Sequence, residues 1–475
     1  MGWGVRARLA RAIAGGPGFP VAVRAQGVGL DDDAVRSVID LCLRTGEAML
    51  SLGASAGDVT GAIRRVAAAF GLDGFQVDLT FTSITVSYDP GAPGHPTTLM
   101  RVAPTRTTDY DRLARVTDLV RDVTATHVPL ERAQPFLEDA HRRLDAVIAT
   151  PRPYRPSVVT LLLSVMAAAV AVQLGGGWAV AAIAGATTAV ITLVVRWLGR
   201  RGLPPFFLQA GGAAVATAVA VLLLVAVPRL PIALETLPPS LVVASGIVVL
   251  LAGLSLVGAA DDALSGFPVT ASGRVFEVVL LTLGIVVGIG AVLDAGSRLG
   301  VQLVVVDELT GTANALLQVA ASAVMAAAWA MASYARLRAA AVAGAAGGAA
   351  WLIYLGLRDA NVGAAVASAG AALIVGFAAE WFAPRLRVPA IVTSACAIIP
   401  LLPGLAIYRG LFLVVEADSL SDGVTVLLGA ATVGLGLAAG VTLGELIASS
   451  VRHGGTRARR VWSRTVLPGG QDAPS

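Results

Sequence analysis

Long apolar stretches dominate the chain from Ser157 onward and constrain its fold more than any other feature. A helix needs about 20 mostly apolar residues to cross the hydrocarbon core of a bilayer. Ten stretches are close to that length, near 157–175, 177–197, 206–228, 239–260, 275–295, 311–333, 338–356, 361–383, 388–413 and 422–449. Only 14% of the residues are charged, whereas about 25% is usual in soluble domains. The sequence therefore predicts an α-helical polytopic membrane protein with ten transmembrane helices.

The residues that precede these stretches differ in composition, since they are rich in Arg, Asp and Glu. Apolar residues at helical spacing alternate there with segments rich in β-branched and aromatic residues, a pattern that predicts both helices and strands. The expected elements are a helix to about Leu52 and segments near 56–70, 75–88, 98–102, 109–123 and 129–148. We therefore expect a small N-terminal soluble α+β domain over residues 31–150.

The placement of arginine sets the expected orientation in the membrane. All 35 basic residues are arginines, and the loops on the side of the N-terminal domain would hold eight of them against four on the other side. Basic residues concentrate in cytoplasmic loops. The apolar run Ala12–Ala14 is too short for a signal peptide, so residues 1–30 and 451–475 are expected to form cytoplasmic tails. The sequence predicts a multi-pass protein of a bacterial inner membrane with both termini in the cytoplasm.

A short sequence recurs in the fourth and ninth apolar stretches. Leu250-Leu251-Ala252-Gly253-Leu254 resembles Leu401-Leu402-Pro403-Gly404-Leu405 at an offset of 151 residues, which is five stretches. Because five is odd, the second copy would cross the membrane in the opposite sense. This predicts two five-helix repeats of inverted topology, at 157–295 and 311–450, as in many secondary transporters. Chance recurrence in an apolar, glycine-rich chain is the alternative.

The ninth stretch contains helix-breaking residues near its middle, Pro400 and Pro403-Gly404. Each proline leaves the carbonyl four residues earlier without its helical partner, which points to Cys396 and Ile399. Unpaired carbonyls at membrane depth are tolerated only where protein or a water-filled cavity satisfies them. They would suit an ammonium group, and the N–H groups at the start of the next half-helix would suit a carboxylate. A packing kink explains the same residues equally well.

Ionisable residues within or beside the apolar stretches are candidates for proton coupling because they are costly in hydrocarbon. We single out Asp261, Asp262, Glu277 and Glu445. Adjacent carboxylates raise one another's proton affinity, as a proton relay requires. The alternatives are a solvated loop for Asp261 and Asp262, and an ion pair with Arg274 for Glu277.

Several functional classes are poorly supported. The chain contains no lysine, so it cannot carry the lysine-containing loop that binds ATP phosphates. Its two cysteines predict neither a disulfide framework nor a metal site, and we expect no cofactor. The arginines form no continuous stripe, which argues against nucleic acid as a partner. The N-terminal domain shows no convincing catalytic set, although a membrane-anchored enzyme or sensor remains the alternative function.

The sequence resembles the threonine/serine exporter family over nearly its whole length, from about Val35 to Ser450. The segments that carry the resemblance are Leu43–Glu47 with Gly53–Ser55, Asp261–Gly266 with Gly273, Arg274 and Glu277, and Pro400–Gly404 with Tyr408–Gly410. In the first repeat this chain has Ala252 where the family pattern has proline.

The resemblance implies a secondary exporter of threonine, serine or similar small polar solutes, driven by proton antiport and not an enzyme. The expected partners are threonine, serine, protons and the lipid bilayer, and a homo-oligomer stays open. The expected substrate-binding residues are Pro400, Leu401, Pro403, Gly404, Gly253 and Tyr408. The expected proton-coupling residues are the four acids named above.

Overall fold

The computed structural model describes residues 32–72, 74–89, 95–103, 107–125, 133–226, 245–246, 250, 253–298, 314–416 and 420–465. The expected N-terminal tail, half of the fourth apolar stretch and the last ten residues of the C-terminal tail lie outside these ranges.

The N-terminal region folds as four helices around a small antiparallel sheet. The helices are α1 (Asp32–Ser51), α2 (Ala56–Ala69), α3 (Tyr110–Ala125) and α4 (Ala133–Ala149), and the strands are β1 (Phe75–Thr80), β2 (Ser83–Tyr88) and β3 (Thr97–Val102), in the order β1-β2-β3. Alternate residues of β2 are buried, because successive side chains of a strand point to opposite faces. The prediction of strands in these segments is confirmed.

The C-terminal region is built from long apolar helices. They are α5 (Pro156–Gln173), α6 (Trp178–Arg200), α7 (Pro205–Ala226), α8 (Gly253–Leu264), α9 (Pro268–Arg298), α10 (Ala315–Ala332), α11 (Leu337–Asp359), α12 (Ala364–Leu386), α13 (Ala390–Ala397), α14 (Gly404–Glu416) and α15 (Leu420–Thr465). Eight helices of the described chain are long and apolar enough to span a bilayer, and α13 and α14 make a ninth span if they are counted as one bent pair. Half of the fourth predicted span, including most of its first part, falls outside the described residues, so the total of ten stays a prediction.

Helices α5–α9 are here called the first half and helices α10–α15 the second half, and the first three helices of each half correspond in length. The first helix of each half has 18 residues and the second 23, while the third has 22 and 23. These three helices begin at 156, 178 and 205 in the first half and at 315, 337 and 364 in the second, a constant difference of 159. Helices α8 and α14 begin at Gly253 and Gly404, 151 residues apart.

Close helix contacts made by glycine recur at corresponding positions. A Cβ atom added at Gly288 would lie 2.1 Å from the carbonyl oxygen of Ala210, and one added at Gly440 would lie 2.3 Å from that of Ala369. The same correspondence holds between the pairs Gly185–Ser164 and Gly344–Ala323, and between Gly284–Phe206 and Gly436–Ala365. Small residues let membrane helices approach closely, so both halves use the same packing at these positions.

The N-terminal domain rests on one end of the helix bundle. Its apolar core continues into the second half, because Ala335, Ala340 and Val392 belong to the same buried cluster as Leu113 and Val116 of α3. The domain also contacts the turn between α8 and α9, in the first half. One folded domain therefore touches both halves on the same side of the bundle.

Candidate functional site

The ninth predicted span is broken at its prolines. Helix α13 ends at Ala397, a short 3-10 turn covers Ile399–Leu401, and α14 begins at Gly404. The two helical segments are bent by 50°. The carbonyl of Ile399 accepts a hydrogen bond from the N–H of Leu402 at 3.1 Å, so the expectation that this carbonyl lacks a partner is wrong. The 3-10 turn, which bonds three residues apart, explains the difference.

The carbonyl of Pro400 lies in this turn and bonds to a side chain of another helix. It accepts a hydrogen bond from the side-chain amide of Gln173, at the end of α5, at 3.3 Å. The same nitrogen donates to the hydroxyl of Ser322 in α10 at 3.0 Å, and that hydroxyl donates to the carbonyl of Gln318 at 2.8 Å. Gln173 is 7% exposed and Ser322 is fully buried. Three separate helical segments, from both halves, thus meet at one polar cluster.

The cluster lies deep in the bundle. Pro400 is ten residues beyond the start of α13, which corresponds to about 15 Å at a rise of about 1.5 Å per residue. Ser322 is the eighth residue of α10 and Gln173 the last of α5, so the helices bring these groups together inside the bundle. An amide, a hydroxyl and a carbonyl at that depth can exchange partners with a polar solute, because each is already desolvated.

Aromatic side chains extend the cluster on one side. The indole nitrogen of Trp351, in α11, donates to the side-chain oxygen of Gln318 at 3.1 Å. The ring centroids of Trp351 and Tyr354 are 5.0 Å apart. Gln173, Ser322 and Trp351 were not among the site residues predicted from the sequence. Glutamine in an apolar helix was the available signal, but nothing local pairs Gln173 with a residue 227 positions away.

The other predicted substrate residues lie at two places. Leu401, the last residue of the 3-10 turn, is buried with Val257 and Ala260 of α8. Tyr408 is buried in a different apolar cluster, with Leu250 and residues of α6, α7 and α9. Pro403 and Gly404 form the start of α14, and Gly253 the start of α8. The structure therefore groups Pro400 and Leu401 with the polar cluster and separates Tyr408 from them.

Asp262 is a buried partner in an ion pair. One of its carboxylate oxygens lies 3.0 Å from Nη1 of Arg274, with the two side chains 0% and 9% exposed. The other oxygen accepts a hydrogen bond from the backbone N–H of Ala56, at the start of α2, at 2.9 Å. Arg274 donates to the carbonyl of Ala54 at 3.3 Å. These contacts hold the N-terminal domain against the first half.

Asp261 and Glu445 lie near one another on the same side of the bundle. Asp261 accepts a hydrogen bond from the hydroxyl of Thr442, in α15, at 2.7 Å. Glu445 follows Thr442 by three residues, on the same face of that helix. It interacts with Ser394 of α13 and with the charges of Asp58, Asp261 and Glu380. Two of the four predicted acids are thus brought together.

The N-terminal domain adds a carboxylate to this group. Asp58, in the first turn of α2, accepts a hydrogen bond from the hydroxyl of Ser55 at 2.9 Å. The pKa of Asp58 is raised from 3.8 to about 6, chiefly by burial and then by the charge of Asp261, while the bond from Ser55 and the charge of Arg65 oppose the rise. Asp58 was not predicted from the sequence as part of this group, because the acids near it in the membrane helices are about 200 or more residues away.

Glu277 lies apart from these acids. Its side chain is exposed, and Arg274, three residues earlier, pairs with Asp262 instead. The pattern of charges three apart on a helix suggested an ion pair between Arg274 and Glu277. The buried carboxylate of Asp262 is the stronger competitor because its charge is fully withdrawn from water.

Within the residues that the structure describes, no group of three or more His, Cys, Asp or Glu side chains could hold a metal ion.

Comparison with known proteins gives a consistent result. The model of a family described as "Putative threonine/serine exporter" matches residues 40–295, and that of "Threonine/Serine exporter, ThrE" matches residues 318–447. A "Probable threonine/serine exporter" of Mycobacterium tuberculosis is 39% identical over 436 residues, 90% of this chain and 80% of the relative. A "Threonine/serine exporter" of Corynebacterium glutamicum is 35% identical over 429 residues, 89% of this chain and 85% of the relative. No solved structure matches the chain significantly.

Proposed function

Because the chain belongs to the threonine/serine exporter family, we propose that it exports threonine, serine or a similar small polar solute from the bacterial cytoplasm. The energy comes from protons that move inward in exchange. The proposed orientation places both termini and the N-terminal domain in the cytoplasm. The larger number of arginines in the loops on that side favours it.

The proposal includes an alternating-access mechanism between two inverted repeats of five spans each. The matched helix lengths and the recurring glycine contacts of the two halves support it. An odd number of spans per repeat reverses the second copy in the membrane, and secondary transporters built this way bind substrate near the midplane, at the interface of the repeats. The polar cluster at Pro400 lies at such an interface, because Gln173 belongs to the first half and Ser322 to the second.

Substrate binds where the chain already offers exchangeable polar groups. The ammonium group of an amino acid takes the carbonyl of Pro400 in place of the Gln173 amide, and its carboxylate faces the N–H groups at the start of α14. The released Gln173 amide and the Ser322 hydroxyl then bond the substrate's own hydroxyl. Leu401, Pro403 and Gly404 shape the turn, while Gly253 and Tyr408 of the sequence-based set lie further from the polar groups.

Protons enter the proposal through the acids near the cytoplasmic end. Asp261 and Glu445 belong to different halves and lie near each other, so opening of the bundle on that side separates them and changes their proton affinity. Asp262 and Glu277 are the other two acids that the sequence suggested for proton coupling. The bonds of Asp262 are better explained by its role in holding the N-terminal domain against the first half.

The buried cluster of Gln173, Ser322 and the Pro400 carbonyl is the observation that carries the proposal. The test is threonine export from proteoliposomes by Ser322→Ala. Loss of one hydrogen bond to substrate costs about 1 kcal/mol, so the apparent KM should rise roughly five- to tenfold.

Ser164→Ala is a matched control. Ser164 also lies in a membrane helix and donates to the carbonyl four residues earlier, that of Thr160 at 3.0 Å, as Ser322 does to Gln318. Its variant should keep the apparent KM of the unaltered protein. Equal KM values for both variants would remove Ser322 from the binding site.

A further inference from the structure

The N-terminal domain makes two contacts with the membrane helices, and the two differ in chemistry. The contact with the second half continues the domain's own core. Leu113 and Val116 share one buried apolar cluster with Ala335, Ala340 and Val392. Polar contacts surround it: Tyr110 N–H donates to Ser333 O at 2.9 Å, and Arg336 pairs with Asp111 at 2.6 Å. Separation would expose apolar surface to water, which opposes it.

The contact with the first half is largely polar. It is made by residues 261–274, here called the α8–α9 corner. Besides the bonds to Asp262 and Arg274, the hydroxyl of Thr270 donates to Leu79 O at 3.1 Å and accepts from Phe81 N–H at 3.1 Å. Among the described residues of the corner, Phe267 packs against the apolar cluster of the domain, and its side chain is only partly buried.

The ion pair of the corner does not need the N-terminal domain. Asp262 and Arg274 both belong to the first half, and the domain supplies only backbone groups, the N–H of Ala56 and the carbonyl of Ala54. When the domain leaves, the two charges stay paired and water takes over the two backbone bonds. Breaking a buried ion pair is costly because it leaves one buried charge without a partner. Release of the domain leaves no such charge.

The β1–β2 turn of the N-terminal domain packs closely against the corner. Phe81, at the β1–β2 turn, has φ of +49°, a conformation that bulky residues rarely adopt. Its ring lies against Gly273, where an added Cβ would be 2.8 Å from the ring carbon Cδ2. Two-residue hairpin turns require positive φ, so the turn itself sets this conformation and thereby presents the Phe81 ring to the corner.

We infer that the N-terminal domain moves with the second half and acts as a latch, which holds the cytoplasmic side closed by gripping the α8–α9 corner. The inference rests on the proposed function, since it assumes that the halves separate on this side during transport. The hydrogen bond between Asp261 and Thr442, which joins the halves on the same side, fits the closed state. Opening toward the cytoplasm then requires release of the corner, while the apolar contact persists.

A disulfide across the releasable contact tests the latch. A Cβ atom at Gly57 would lie 3.5 Å from Cβ of Ser265, and disulfides need a Cβ separation of about 3.5–4.5 Å. The variant is Gly57→Cys with Ser265→Cys. The native Cys42 and Cys396 are both buried. Oxidation should lower the threonine export rate at least about tenfold, since a conformational step then limits turnover, and dithiothreitol should restore it.

A disulfide within one half is the matched control. Cβ of Ala216 lies 3.7 Å from a Cβ added at Gly246, and both residues belong to the first half. Oxidation of Ala216→Cys with Gly246→Cys should leave export unchanged. If the cross-link between positions 57 and 265 also leaves export unchanged, the latch is wrong. If the reduced double variant and the unaltered protein both fail to export, the proposed function fails instead.

A second measurement is independent of transport. Ala56 and Tyr110 each begin a helix, and their backbone N–H groups bond to the first and second half respectively. Hydrogen exchange of the unaltered protein in lipid should show lower protection at Ala56 than at Tyr110, because only the first contact opens. Equal protection at the two amides would overturn the latch.

Discussion

Asp58 gives the sharpest quantitative test of how the N-terminal domain docks. Its carboxylate lies beside Ser55 and Arg65 of its own domain and within the electrostatic range of Asp261, Glu380 and Glu445 from the membrane helices. Replacement by Asn keeps an oxygen that can accept the Ser55 hydroxyl bond but removes the charge. We predict that Asp58→Asn stabilises the docked state at neutral pH and has a smaller effect in acid.

The sign follows from the direction of the pKa change. In the docked state the pKa of Asp58 is raised from its ordinary value of 3.8 to about 6, so this state binds the proton more tightly than one in which Asp58 faces water. The docked state is therefore favoured fully below pH 3.8 and loses stability as the pH rises toward 6. Relative to a carboxyl that faces water, the penalty is about 3 kcal/mol at pH 7.5 and roughly half of that at pH 5. These are upper limits because the side chain is partly exposed to water.

The assay is hydrogen exchange at residues 54–60, corrected for the intrinsic pH dependence of exchange. This segment includes the Ala56 amide that bonds to Asp262. Between pH 5 and pH 7.5, protection in the unaltered protein should fall by up to about tenfold, the equivalent of about 1.4 kcal/mol. In Asp58→Asn, protection should change much less.

The comparison between the two proteins isolates Asp58, since the other acids near it titrate in both. The same fall in protection in Asp58→Asn as in the unaltered protein would refute the reasoning, because Asp58 would then contribute nothing to docking. If Asp58→Asn were less protected than the unaltered protein at pH 7.5, the predicted direction of the effect would be wrong.

Two further predictions concern packing and thiol chemistry. Gly288→Ala and Gly440→Ala should each destabilise the protein by about 1–3 kcal/mol, because the new methyl groups would lie 2.1 and 2.3 Å from carbonyl oxygens. Gly429→Ala, with open space around the new atom, should leave the melting temperature unchanged or raise it, and equal melting temperatures for all three variants would contradict the packing argument. Cys42 and Cys396 should resist maleimide at pH 8 until denaturant is added, since both are buried and burial raises the pKa of the Cys42 thiol. Rapid labelling of the native protein would refute this.

Local patterns in the sequence predicted the elements of the fold well. Alternation of residue types identified the strands near 75–88 and 98–102, because a strand's side chains alternate between core and solvent. Two prolines and a glycine identified the break at Pro400–Gly404, because proline lacks the N–H that a helix needs. These features depend on residues a few positions apart.

The contacts that define the candidate site could not be predicted in the same way. Gln173 meets the Pro400 carbonyl over 227 positions, and Ala56 meets Asp262 over 206. No periodicity or spacing encodes such pairs. Asp262 and Glu277 were grouped with Asp261 and Glu445 by charge alone, whereas burial and partners separate them in the structure.

Threonine accumulation driven by a proton gradient tests the proposed exporter most directly. Proteoliposomes with an acidic lumen are diluted into alkaline buffer that contains labelled threonine, so that inside-out molecules exchange luminal protons for threonine. With one proton per threonine, a difference of two pH units sustains up to about a hundredfold accumulation, since each unit is worth about 1.4 kcal/mol. We predict accumulation well above the outside concentration, and its loss when a proton ionophore is added. Threonine that only equilibrates, with or without the gradient, would contradict proton-driven export.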